Sequence, residues 1–239
     1  MASILTRYKP IRFPLEYWLK TDIIPKHNKK YMEILAKLFG SSTKVKLMRF
    51  FLFNQESVYS MSDIVIRMRS PQKDVRKEID TLINVGLIKK KVVSKDITIK
   101  KNKKSIVKKT QEDGYTLDSK FPYLQALKTL LITVSLNADD SLVKKFAGTG
   151  RLKLFIVSGV FIQEWDTRVD MLIVGDDLNF NKIDSVIKVI ESEIGKEITY
   201  SAFETTDFEY RYGMHDRLIR DIMDFTHVTL VNKLENIEK

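Results

Sequence analysis

The sequence predicts an α+β protein, and three observations carry that reading. Apolar residues recur at helical spacing from Tyr31 to Gly86, and after Gly86 the pattern changes to a two-stranded ribbon. Beyond Gly150, short apolar strand-like runs alternate with helical ones. Charge divides along the same line. Residues 1–130 hold 28 Lys and Arg against 12 Asp and Glu, or +16; residues 131–239 hold 13 against 19, or −6; the two sum to the chain's +10. An asymmetry of this size points to two modules with different partners. The expected boundaries are an arm over 1–30, a basic domain over 31–120, a helical connector over 121–150 and an acidic domain over 151–239.

The arm carries Pro10, Pro14 and Pro25 together with Tyr8, Phe13, Tyr17 and Trp18, so it should pack by its aromatics. Tyr31, Met32, Leu35, Leu38 and Phe39 form a helical stripe that stops at Gly40. Ser41-Ser42-Thr43 offers a cap for a second helix, Val45 to Phe53, apolar on most sides and therefore central. Val58-Tyr59 reads as extended. Ser60 caps a short helix burying Ile64, Val65 and Met68. Ser70-Pro71 opens another, with Pro71 at the first helical position and Val75, Ile79, Leu82 and Ile83 inward, until Gly86 stops it.

The ribbon then carries Val92, Val93, Ile97 and Ile99, a tip at 101–104, Ile106 and Val107, with Asp113-Gly114 as a further turn. Residues 121–147 read as a helix with Leu124, Leu127, Leu130, Leu131 and Val134 on its apolar face, and Gly148-Thr149-Gly150 as a flexible joint. Strands are expected at 152–162, 171–174, 198–203 and 228–231, with helices at 183–194 and 214–224.

Composition excludes several chemistries. With no cysteine there is no disulfide framework, thiolate nucleophile or Cys-ligated metal. His27, His215 and His227 lie far apart without ligand spacing, so no metal and no cofactor are expected. His215 reads as a surface or helix-cap residue. No apolar stretch is long enough for a membrane span, and Arg7, Lys9, Arg12, Glu16, Lys20 and Asp22 interrupt anything like a signal peptide, so a cytoplasmic location is expected. Residues 38–44 lack the glycine spacing of a phosphate loop, and Ser158-Gly159 lacks that of a nucleophile elbow.

Helices 60–68 and 71–85 form a helix-turn-helix pattern. The outward set on the second is Gln72, Lys73, Arg76, Lys77 and Asp80, and Ser70 stands at its start. Such a face suits a major groove, where planar Arg and Gln groups read bases and lysines meet phosphates. The ribbon adds Lys89, Lys90, Lys91, Lys95, Lys100, Lys101, Lys103, Lys104, Lys108 and Lys109 against one acid, Asp96. A lysine-rich hairpin can also be a solvated edge protected against aggregation; the two features on one module favour nucleic acid.

The runs SPQKDVRKEIDTLINVGLIKK and LFGSSTKVKLMRFFLFNQESVYSMSDI resemble the recognition helix, wing base and first helices of winged-helix transcription regulators of the ArsR/MarR type, over roughly residues 36–120. The resemblance implies duplex DNA binding, usually as a homodimer on a two-fold site. The wing is longer here than is usual in that family, and the cysteines of its metal sensors are absent.

The segment LFIVSGVFIQEWDTRVDMLIVGD resembles the opening of the minimal nucleotidyltransferase domain of the polymerase-beta superfamily, over about 150–234. There, Gly-Ser precedes a strand bearing Asp-x-Asp, whose alternate carboxylates share a face and clamp Mg²⁺. Carried over, Gly159 matches the glycine, Val160 replaces the serine, Arg168 stands where the first carboxylate belongs, and Asp170 matches the second. On the strand at 198–203 the third carboxylate is missing, with Glu197 at its edge. An Arg168–Asp170 ion pair is expected, or Arg168 turned toward a phosphate. A second alignment pairs Asp166 with Asp170. Asp139-Asp140 and Asp176-Asp177 read as turn or cap acids.

The full expectation is an N-terminal winged helix-turn-helix joined by a helical connector to a small nucleotidyltransferase-like mixed-sheet domain. The expected function is that of a sequence-reading double-stranded DNA-binding protein and transcriptional regulator. The acidic domain has no catalytic residues and serves as an effector, dimerisation or scaffold module. A nucleotide or protein effector and a homodimer stay open as partners; no membrane is expected. Two alternatives remain: an active nucleotidyltransferase that holds nucleic acid on its basic half, and a non-specific architectural DNA-binding protein.

Overall fold

The structure is a computed structural model. It describes residues 28–101, 104–133, 140–165 and 167–234, with side chains placed for 34–92, 111–132, 141–165 and 167–234. The arm over 1–27, Lys103, Val134, Asp139 and Asp166 lie outside these residues. The chain is mixed helix and strand, an α+β protein.

Two helices open the described chain, α1 (Asn28–Phe39) and α2 (Ser42–Phe53). Ser41 caps α2, its hydroxyl accepting from the Lys44 N–H at 3.3 Å. Every residue from Leu47 to Leu52 is buried, as its all-round apolarity requires. Strand β1 (Tyr59–Ser60) leads into α3 (Met61–Met68), which starts with a reciprocal capping box between Ser60 and Asp63. Helix α4 (Gln72–Asn84) follows. Pro71 stands one residue earlier than expected, as the extended residue before the helix, because its own carbonyl accepts the first helical bonds from Asp74 and Val75.

Strands β2 (Ile88–Lys101) and β3 (Lys104–Leu117) pair antiparallel along their whole length, from Ile88 opposite Leu117 to Lys101 opposite Lys104. At about 3.4 Å per residue, 14 residues make an arm of roughly 45 Å. The turn expected at Asp113-Gly114 does not form. Gly114 pairs with Lys91 on one side and Ser60 on the other, so three-strand pairing overrides the local turn preference.

The connector is less regular than a single helix. It comprises α5 (Leu124–Lys128), one π-helical turn (Thr129–Thr133) and α6 (Asp140–Lys145). Leu131 and Ile132 are buried, whereas Leu130, expected inward, is 38% exposed. The wider π turn rotates the inward face by about one residue.

The second half is a four-stranded sheet in the order β6-β5-β4-β7, with β4 (Arg151–Val157), β5 (Met171–Asp176), β6 (Tyr200–Glu204) and β7 (Val228–Asn232). The β5–β6 pair is parallel and the other two pairs are antiparallel. Helix α7 (Phe180–Ile194) covers one face; α8 (Thr205–Gly213) and α9 (Arg217–Asp224) cover the other. Phe155, Val157, Met171 and Ile173 face α7, while Leu154, Ile156, Leu172 and Val174 face α8 and α9. Strands covered on both sides read as unbroken apolar runs. The single helix expected at 214–224 is instead α9 alone, and α8 went unread because only Phe208 of its nine residues is buried.

One core runs through both halves, from Leu35 through Phe50 and Phe51 to Phe155, Ile187 and Ile194. Their seam has three bonds of note. Arg49, 1% exposed, donates from Nε to the Leu131 carbonyl at 3.0 Å and from Nη1 to the Glu193 carbonyl at 3.1 Å. Burial holds its guanidinium down to about 10, against an opposing pull from Glu193. Asn54 Nδ2 donates to the Gly195 carbonyl at 3.0 Å. Gly195 (φ +88) lies so close to α2 that a Cβ would sit 2.5 Å from the Phe50 nitrogen. The expected flexible joint is likewise packed. Thr149 is buried, its hydroxyl donates to Phe146 at 2.8 Å, and its carbonyl accepts from Asn179 at 2.7 Å.

Candidate nucleic-acid interface

Helix α4 is anchored from beneath. Val75, Ile79 and Leu82 are buried, and Glu78 at 6% exposure forms an ion pair with Lys44 of α2 at 3.3 Å. Gln72, Lys73, Arg76, Lys77 and Asp80 all stand exposed on the other side. Asp74 is exposed too, near the helix start, where an acid suits the helix dipole. Ser70 is half-buried and its hydroxyl donates to the Met68 carbonyl at 3.1 Å, so it shapes the turn into α4. No carboxylate lies within ion-pair distance of Lys73, Arg76 or Lys77 among the described residues.

The ribbon rises beside this helix. Leu87, Ile88, Tyr115 and Leu117 bury its base, and Lys89 is tied to Asp118 at 3.2 Å. Lys90 and Lys91 are exposed immediately beyond. Farther out, the backbone places Lys95 opposite Thr110, Lys100 opposite Ser105 and Lys101 opposite Lys104. Lys103 falls outside the described residues. The basic positions of α4 and of the ribbon thus belong to one unit of helices α1 to α4 and a three-stranded sheet in the order β1-β3-β2.

The second candidate pocket is arranged differently. Gly159 (φ +57) opens a single 3₁₀ turn, and a Cβ there would run into the Asp170 carboxyl. Asp170, 6% exposed, accepts from the Val160 N–H at 2.9 Å through Oδ1 and from the Thr199 N–H at 3.0 Å through Oδ2. Val160 is fully buried, and the Ser158 hydroxyl donates to the Val169 carbonyl. Both carboxylate oxygens therefore brace backbone.

The expected Arg168–Asp170 ion pair is absent. Arg168 Nε lies 2.6 Å from the half-buried Asp221 of α9, because Asp170 is sealed below with both oxygens already engaged. Arg217 approaches the same carboxylate at 3.9 Å. The strand expected to lack a carboxylate ends on Glu204, whose Oε1 accepts from the Leu178 N–H at 2.9 Å. Asp177 and Asp176 pair with Arg151 and Lys153 across the end of β4 and β5. His215 is exposed in the turn between α8 and α9. Among the described residues no three His, Asp or Glu side chains gather where they could hold a metal ion.

No protein family, curated protein or solved structure matches this chain. Among the described residues no helix is long and apolar enough to cross a membrane. One group of residues escaped the reading of the sequence: Arg67 and Arg69 at the end of α3, and Lys188, Glu191, Lys196 and Glu197 of and after α7, line one cleft. About 130 residues separate the two sets, and no local pattern links them.

Proposed function

We propose that this chain is a double-stranded DNA-binding regulator whose basic half is a winged helix. Helix α4 enters the major groove and the ribbon tracks the phosphates. The observation that carries the reading is the outward row Gln72, Lys73, Arg76 and Lys77 on a helix anchored by a buried opposite face, with Lys90 and Lys91 exposed at the ribbon base. Arginine and glutamine offer planar, bidentate groups to base edges, while the lysines supply sequence-blind attraction.

The acidic half, on this proposal, resembles a nucleotidyltransferase without transferring nucleotides. Supporting it, Asp170 is buried and spends both oxygens on backbone N–H groups, and Arg168 occupies the place of the other carboxylate. A guanidinium repels the cation that such chemistry needs. The domain then serves the regulator as a rigid platform under α2 and α3. Labelled nucleotide incorporation with Mg²⁺ or Mn²⁺ that Asp170→Asn abolishes would overturn this part.

Duplex binding is tested by fluorescence anisotropy across a salt series, with footprinting to recover the preferred site. Each phosphate neutralised contributes a log–log slope of about −0.9. Equal affinity for random and footprinted duplexes would favour an architectural role, and failure to bind any duplex in dilute buffer would overturn the reading.

A further inference from the structure

A cleft of about 740 Å³ opens between the end of α3 and the C-terminal end of α7, at the seam of the two halves. That volume suits a ligand of nucleotide size. Its walls are of two kinds. Phe50 and Tyr59, with ring centroids 4.6 Å apart, form an apolar side, and Ile66, 74% exposed, extends it. Val58, Met68 and Gly195 add uncharged wall, and charged residues form the rest.

The carboxylates of the cleft are already engaged. Asp63 closes the capping box with Ser60. Glu191 accepts from the Ile198 N–H at 2.8 Å, and Glu197 holds Arg67 at 2.5 Å. Of the cations, Arg67 is thus paired and Lys188 is paired with Asp184 at 2.6 Å. Arg69 and Lys196 have no carboxylate within ion-pair distance among the described residues; Lys196 lies over the Trp165 ring at 5.0 Å.

Arg69 also has an unusual backbone. It ends α3 in the left-handed region, φ 48 and ψ 41, where glycine or asparagine is the ordinary choice. A long cationic side chain held in that conformation, at the mouth of a cleft, is the kind of strained feature that clusters at ligand sites. The bridge to DNA is short, since only Ser70 and Pro71 separate Arg69 from α4.

We propose that this cleft binds a small phosphorylated ligand carrying a planar or apolar group, its phosphates held by Arg69 and Lys196 and its apolar group laid against Ile66, beside Tyr59, whose ring already carries the Arg67 guanidinium at 5.3 Å. Occupancy pins the α3–α4 turn to α7 and so adjusts the pose of α4. The last clause rests on the DNA-binding reading above; ligand binding does not.

Calorimetry of the full chain tests it, with ATP and inorganic pyrophosphate as probes and no DNA present. The expected result is one site per chain for ATP, weaker binding of pyrophosphate, and an ATP affinity at least about tenfold lower in Arg69→Gly and in Lys196→Gln. Arg69→Gly removes the guanidinium while relaxing the backbone, so its Tm should rise by about 1–3 °C and loss of binding cannot be put down to unfolding. The Lys73/Arg76/Lys77 triple alanine should keep the ATP site, which separates it from general attraction to the basic surface. Absence of binding at millimolar ATP, or binding that both cleft substitutions leave unchanged, overturns the proposal. So does an Arg69→Gly variant that loses duplex affinity while keeping its ATP isotherm, since Arg69 would then be a DNA phosphate contact. Duplex binding measured separately, with and without ATP, shows whether the DNA reading fails on its own.

Discussion

The outer face of α4 and the pocket around Asp170 both present charged residues at positions that suggest function, yet they differ in what those charges do. On α4, Lys73, Arg76 and Lys77 extend into solvent from a helix held by Val75, Ile79 and the Glu78–Lys44 pair. Around Gly159, the buried Asp170 carboxylate is consumed by two backbone N–H groups and the neighbouring guanidinium by Asp221. A charge without an internal partner is available to an outside one; a charge that satisfies buried donors is part of the fold. The contrast separates charges left open to an outside partner from charges spent on the fold itself.

The largest effect should come from Asp170→Ala. It leaves the buried Val160 N–H without an acceptor, at about 1–3 kcal/mol, and removes the bond to the more exposed Thr199 N–H, at about 1–2 kcal/mol, so roughly 2–5 kcal/mol of stability in urea unfolding. A near-neutral or stabilising change would mean that Asp170 is a strained functional group after all, and the contrast with α4 would collapse.

Arg49→Met comes next. It removes the buried donor to Leu131 and Glu193 that joins the basic half to the acidic one, and should cost about 3 kcal/mol. Calorimetric unfolding of the wild type should be a single transition, and in Arg49→Met the halves should begin to separate into two. Two transitions already in the wild type would show that the shared core does not couple them.

The Lys73/Arg76/Lys77 triple alanine should weaken duplex binding about a hundredfold at low salt and flatten the log–log salt slope by about 2.7. Its unfolding free energy should stay within about 0.5 kcal/mol of wild type, because none of the three supports the core. Unchanged affinity would break the contrast from the other side.

The smallest effect concerns Glu191. Burial raises its carboxyl above the ordinary value, against the Ile198 N–H that lowers it, with Glu197 adding to the rise. A carboxyl whose folded pKa lies above the unfolded value favours folding at pH below the unfolded value, and that benefit fades as pH rises through the folded value. Glu191→Gln keeps an acceptor for Ile198 and should remove this decline. The variant should gain slightly on wild type as pH rises above the ordinary glutamate range, read as Tm against pH, with no gain at the acid end.

Much of this was written locally. The helix starts at Ser41 and Ser60, the inward set on α4, the ribbon after Gly86 and the apolar runs of β4 and β5 follow from caps and periods that act over a few residues. The exposed row on α4 was legible for the same reason: once the buried stripe is known, the opposite face is implied. Residues whose roles depend on distant partners were not legible. Arg168 met Asp221, 53 positions on, and not Asp170, two away; Asp113-Gly114 gave up its turn to pair with β1 and β2. Helix α8 left too thin a stripe, and the cleft of Arg69 and Lys196 assembles from segments with no shared pattern.

By itself, then, the order of residues determined the element types, the division of charge and which helix face would be left uncovered, since capping, periodicity and composition are short-range properties. Tertiary structure alone decided that the two halves share a core through Arg49 and Gly195, that Asp170 became a brace, and that a charged cleft opens between α3 and α7. Close approach of backbones and the pairing of distant charges depend on where the chain returns in space, and no local rule carries that information.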